Sequence, residues 1–200
     1  QIGRELAAIG ERLVATEVAA DVALANDYDN EWDGELDSWH GPYMRQSLGA
    51  WFTALQHAHI PADALYLRPQ TALAELARYR LLVYPHAAIM TDETAALLAA
   101  YVRGGGTLIL AARTGYKDAS GQCPMRPFPG PVAELCGVTV ADFTRIGPDE
   151  AAPALRWRGW EDGQEITAPA FNDILQVESP DVEVLAEYAG GYYAGAPALV

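Results

Sequence analysis

Residues Tyr79–Ala112 read YRLLVY, PHAAIM, TDETAALLAAYVR, GGG, TLILAA, and this stretch decides the fold. The apolar run Tyr79 to Tyr84 predicts a strand covered on both faces. Thr91 then opens a helix. Its hydroxyl is placed to accept from a free amide of the first turn, Asp92 and Glu93 sit at the positive end of the helix dipole, and Leu97, Leu98, Tyr101 and Val102 make one apolar stripe. Gly104, Gly105 and Gly106 stop it, because glycine accepts the left-handed cap conformation. A phosphate loop would put its glycines before a helix rather than after one. Thr107 to Ala112 predicts the next strand. Strand, helix and strand joined this closely describe a right-handed crossover in a parallel sheet.

The same grammar extends toward the N-terminus. Asp21 to Asn26 (DVALAN) predicts a strand, and Asp27 to His40 an acidic loop. Gly41-Pro42 introduces a helix whose Met44, Leu48, Trp51, Phe52, Leu55 and His59 share a face. Ala64 to Leu67 is a strand and Leu73 to Ala77 a short helix. Ile2, Leu6, Ile9 and Leu13 recur at helical spacing through Val14, so an amphipathic helix precedes the first strand and reads as part of something upstream. The expected fold is α/β: a flavodoxin-like three-layer sandwich with a mainly parallel sheet.

Beyond Arg113 the pattern changes. Gly115 to Pro131 is rich in glycine and proline, with a helical patch at Val132 to Cys136. From Leu155 the text alternates like strands, in Arg156 to Trp160, Asp173 to Glu178, Val182 to Tyr188 and the segment from Tyr192, with a hairpin at Gly190-Gly191. These antiparallel strands are expected to extend the sheet. The text stops within the last of them, so a fragment is expected at both ends.

Composition removes several classes of function. A chain of 200 residues buries roughly 70% of its unfolded surface and needs no staple to fold. Half of it is hydrophobic and a fifth is charged, which excludes a disordered tail. The formal net charge of −14 repels phosphate backbones and anionic lipid, so neither nucleic acid nor membrane is an expected partner. Cys123 and Cys136 are too few for a disulfide scaffold and lack metal spacing, which with the missing signal peptide predicts a cytoplasmic protein.

The acidic segment holds Asp27, Asp29, Glu31, Asp33, Glu35 and Asp37. Tested as a calcium loop starting at Asp29, it places Glu31, Asp33 and Gly34 correctly but puts His40 where a bidentate glutamate is needed. His57 and His59 are two apart on one helix and cannot face one metal. Cys136 reads as a core residue, and Cys123 has no neighbouring base. No catalytic, cofactor or metal residue is therefore expected. One convergence remains at the carboxyl ends of the strands, where open parallel sheets hold ligands: Asn26-Asp27, Pro85-His86 and Arg113-Thr114-Gly115, with Lys117 and the aromatics Tyr28, Trp32, Trp39 and Tyr43. Asp27, Tyr28, Glu31, Trp32, Trp39, His40, Tyr43, Arg113 and Lys117 are the expected interface or active-site rim.

Asn26 to Trp32 (NDYDNEW), the helix after Gly41-Pro42-Tyr43, the Pro85 strand, Gly105 to Leu108 and above all Ala112 to Asp118 (ARTGYKD) together resemble the middle domain of glycoside hydrolase family 42 β-galactosidases. Pro127 to Pro131 and Tyr192 to Gly195 fit the same pattern. The resemblance implies a class I glutamine-amidotransferase-like fold that serves as a homotrimerisation domain. It implies an upstream (β/α)8 barrel carrying both catalytic glutamates, of which residues 1–14 are the last helix, and a domain from 15 to 200 ending before its last strand. The full chain would hydrolyse terminal non-reducing β-D-galactose residues with retention, and no acid in this segment inherits that role. Acidic residues are expected on one patch of the three-fold interface and arginines on the other. Amidotransferase chemistry needs a cysteine on the turn after a strand; the turn here is Ala112-Arg113-Thr114. The alternative is a free-standing small-molecule-binding or hydrolytic domain of this fold, using His86.

Overall fold

A computed structural model describes every residue except Ala15, Val18, 38–42 and 160–164, and every side chain among the remainder except those of Tyr43 and Glu165. Its centre is four parallel strands, β1 (Val22–Asn26), β2 (Ala62–Tyr66), β3 (Leu81–Tyr84) and β4 (Thr107–Leu110), in the order β2-β1-β3-β4. Leu24 lies between Ala64 of β2 and Val83 of β3, and Leu82 is opposite Leu108 of β4. Every residue of β1 is buried, as a strand covered on both faces requires. On one face Val22, Leu24 and Val83 pack with Leu55, Leu48 and Trp51 of the helix α3 (Tyr43–His57). On the other, Ala23, Ala25, Leu82 and Tyr84 meet Leu76 of the short helix α4 (Leu73–Leu76) and Ala95, Leu98 and Tyr101 of α5 (Asp92–Arg103). The three-layer α/β sandwich is as expected.

Helix α5 begins as its sequence dictates: the Thr94 amide donates to Thr91 Oγ1 at 3.1 Å. The glycines after it do more than stop it. Gly105 carries the left-handed φ of 95°, while a side chain on Gly106 would start 2.2 Å from the Tyr101 ring. Tyr101 fills that space and donates its hydroxyl to the Tyr79 carbonyl at 3.1 Å, fastening α5 to the entry of β3.

Four readings change. Asp27 to His40 was expected to be a loop, but Tyr28–Leu36 form the helix α2, capped by Asp27, whose carboxylate accepts from the Asn30 amide at 2.8 Å. Acids in a first turn are favoured by the free amides there, so the charge run marks a helix start. On α3, Met44 and Leu55 are buried, but Phe52 is half exposed and His59 lies past the helix end with φ 55°. The C-terminal strands do not extend the parallel sheet. β5 (Val138–Arg145) pairs antiparallel with β8 (Phe171–Val177), and β6 (Ala154–Trp157), β7 (Glu165–Thr167), β9 (Ala186–Tyr188) and β10 (Pro197–Leu199) form a second sheet in the order β10-β9-β6-β7. The hairpin is present, with Pro197 opposite Glu187, but Tyr192 and Tyr193 belong to its turn rather than to a strand.

Before β5 a 3-10 turn (Gly130–Val132) runs into α6 (Ala133–Cys136), where Cys136 packs against the core. The N-terminal helix α1 (Ile2–Leu13) has no buried residue, and its Ile2, Leu6, Ile9 and Leu13 all face solvent. Among the described residues no helix is long and apolar enough to cross a membrane.

Leu98→Ala is expected to lower the unfolding free energy by about 2–5 kcal/mol, whereas Phe52→Ala should change it by less than about 1 kcal/mol; urea titrations of the two variants check the assignment of the α3 and α5 faces.

Candidate functional site

The strand order β2-β1-β3-β4 places a topological switch between β1 and β3, whose carboxyl ends carry Asp27 and His86. Helix α2 is seated across this end, and four separate ties hold it there. Asp27 accepts from the Asn30 side chain at 2.7 Å and from the Tyr84 hydroxyl. Asn30, fully buried, donates to the Ile89 carbonyl at 3.0 Å and accepts from the Ile89 amide at 2.8 Å. Lys117 reaches Asp33 at 2.6 and 2.8 Å and Asp37 at 3.0 Å. Arg113 meets Asp37 at 2.7 Å, with only 6% and 11% of the two side chains exposed.

Arg113 is also held from the second half of the molecule. Its backbone has φ 69°, its amide donates to Asp173 Oδ2 at 2.9 Å, and its guanidinium carbon lies 5.5 Å from the Phe171 ring centre. Asp173 also accepts from the Tyr116 hydroxyl at 2.8 Å. Tyr116 stacks on Phe128 at 4.0 Å and meets Phe143 and Phe171 edge-on. Gly115 has φ 67°, and a side chain there would strike the Pro129 carbonyl at 2.1 Å. Only glycine allows the two loops to approach this closely.

These surroundings set the protonation states. Burial pushes the Asp37 carboxyl up, but the hydrogen bonds and charges of Arg113 and Lys117 outweigh it and hold it at about 2. Burial raises Asp173 above the usual carboxylate range against the pull of its Arg113 and Tyr116 hydrogen bonds. Tyr84, buried beside Asp27, stays a neutral donor because burial and that carboxylate both raise it.

The outward side of α2 is different in kind. Tyr28, Trp32 and Leu36 follow at intervals of four and are 54%, 60% and 82% exposed. Tyr28 packs on Tyr66 at 4.9 Å and on Trp32 at 6.0 Å, and Tyr66 donates to Glu31 at 3.0 Å. The expected site residues therefore divide. Asp27, Arg113 and Lys117 converge as internal ties, Tyr28, Glu31 and Trp32 form an outer face, and Trp39, His40 and the Tyr43 side chain lie outside the described residues. The acidic run also divides: Asp33 and Asp37 face inward to cations, so they do not belong to an acidic patch on the surface. Sequence reasoning missed Asn30, Tyr84 and Asp173. Asp27 as a cap with Asp29 and Glu31 in the first turn signals the helix that carries Asn30; Asp173 is 60 residues from Arg113 and carries no local signal. Among the described residues no group of three or more histidines, cysteines or acids is arranged to hold a metal ion.

The profile of the beta-galactosidase trimerisation domain matches residues 20–200. The chain belongs to that family. The β-galactosidase BgaB of Geobacillus sp. strain Y412MC61 is 27% identical over 201 residues, covering 100% of this chain and 28% of that protein. BgaP of Planococcus sp. strain L4 is 27% identical over 206 residues, 29% of its length. The solved β-galactosidase from Bacillus circulans sp. alkalophilus superposes with a TM-score of 0.84 at 23% identity, over 98% of this chain and 28% of that one. This trimerisation domain thus spans less than a third of the length of the relatives it matches. At the turn after β4 it has the left-handed backbone of Arg113 and the ion pair of that residue with Asp37.

Asp37→Asn should cost about 3–5 kcal/mol, because it leaves the buried Arg113 charge short of its partner. The folded Asp37 carboxyl stays charged down to about 2, against 3.8 ordinarily. Its contribution is therefore complete above pH 3.8 and is lost as pH falls through 2. Urea unfolding between pH 5 and 2 should show a shallower acid limb in Asp37→Asn than in the parent.

Proposed function

We propose that this trimerisation domain is the non-catalytic oligomerisation module of a β-galactosidase. The full chain would hydrolyse terminal β-D-galactose residues with glutamates of an upstream (β/α)8 barrel, and galactosides would reach the assembly through that barrel. The observation that carries the reading is the match of residues 20–200 to a β-galactosidase trimerisation domain within relatives more than three times as long. The exposed apolar stripe of α1 supports assigning residues 1–14 to the end of that barrel, since a helix with one apolar face gains its stability by covering that face. Residues 15–200 are then the trimerisation unit. The two unpaired thiols fit the reducing cytoplasm.

Within this reading Tyr28, Glu31 and Trp32, with Trp39, His40 and Tyr43 after them, form one of the two unlike patches that meet in a three-fold ring. Asp27, Arg113 and Lys117 act behind it by holding α2 in place. The rival hydrolase of amidotransferase type is disfavoured by Arg113 at the nucleophile position.

Light scattering after size exclusion tests the assembly. A homotrimer of the isolated chain has three times 21.5 kDa, about 64 kDa, and the chain joined to its upstream sequence should have three times its own monomer mass. A monomeric full-length protein would overturn the reading. Trp32→Ala, which removes a large exposed aromatic, should weaken trimer association by tenfold or more, read from the dependence of mass on concentration.

A further inference from the structure

His86 has no role in the assembly just described, yet its surroundings are unusual. It follows β3 and is 4% exposed, and its Nε2 is buried without a hydrogen-bond partner. Gly34 of α2 lies beside Nε2: a side-chain carbon there would come within 3.4 Å of that atom and 2.7 Å of Met44 Cβ from α3. Charged groups of two segments act on the imidazole electrostatically. Asp33 and the cap residue Asp27 come from α2, and Arg113 and Lys117 from the segment after β4. Those same residues fasten α2 to the sheet.

We propose that His86 is a proton-sensitive latch for helix α2. A neutral ring lets Gly34 seat against it without asking for a hydrogen-bond partner. A protonated ring becomes a third cation beside Arg113 and Lys117, in a space where Nε2–H finds no acceptor. The cation is relieved when α2 lifts and water reaches the ring. The lifted helix carries Tyr28, Trp32 and Leu36 with it, so proton uptake moves the exposed stripe away from Tyr66.

The direction of the linkage follows from the two environments. With α2 seated, burial, then the Arg113 charge, lower His86 to about 4; the pull of Asp33 and Asp27 does not offset them. With α2 lifted, the imidazole returns toward its ordinary 6.5. Between these values the open form binds the extra proton, so the contribution of the neutral ring to seating is complete above pH 6.5 and is lost progressively as pH falls toward 4. One proton limits the gain to tenfold in the opening constant per pH unit, about a hundredfold across the window.

Hydrogen exchange of the full-length protein tests this at pH 7, 5.5 and 4.5, with intrinsic rates corrected for pH. Amides of residues 28–36 should lose about thirtyfold or more of their protection by pH 4.5 while those of α5 keep theirs, and His86→Gln, which cannot take up the proton, should abolish the difference. Equal loss in α2 and α5, or the same α2 loss in His86→Gln, would overturn the latch. If the variant does not fold, equal loss in α2 and α5 of the unsubstituted protein still overturns the latch.

Discussion

Arg113 is the point through which the rest of the structure is tied. Its guanidinium meets Asp37 at the end of α2, its amide meets Asp173 of β8, and its backbone takes a left-handed conformation that a non-glycine residue adopts only when held there. A guanidinium this deeply buried is costly to desolvate, so it requires a carboxylate at close range. Asp37 supplies it, and Lys117 shares that carboxylate and adds Asp33. The parallel sheet, the acidic helix and the C-terminal strands are therefore not independent modules. Each contributes a charge or a backbone group that the others need.

That joint also gives the end of the parallel sheet a structural use. The turn after β4 carries the φ of 69° at Arg113 and an ion pair to Asp37. The Arg113 side chain anchors α2, and α2 in turn presents Tyr28, Trp32 and Leu36 outward. Half of the charges in the acidic run are consumed internally, while the aromatic side remains free for contact.

Much of this was legible from local pattern. The helix α5 announced itself through Thr91, its stripe and its glycine stop, because capping and amphipathic burial are short-range rules. The helix α2 is marked only by Asp27 as a cap and by Asp29 and Glu31 at the positive end of its dipole, a pattern that a solvated acidic loop shares. β5 escaped notice because Asp142 follows a bulge, so its alternation of apolar and polar residues breaks midway. Asn30, Tyr84 and Asp173 were illegible for a different reason. Their partners lie 54 to 60 residues away, and no local rule ranks one distant polar residue over another.

The sequence by itself determined the α/β class, the order of the parallel strands' elements, the helix boundaries set by caps and glycines, and, through scattered motifs, the family. Periodicity and capping act over a few residues, so one chain read in order contains them. Only the tertiary structure decided that the acidic run splits into an inner and an outer face, that the antiparallel strands build sheets of their own, and that the Nε2 of His86 lies unpaired beside Gly34. Those outcomes depend on which distant groups share a desolvated space, where a charge without a partner is costly and a charge with one becomes a joint.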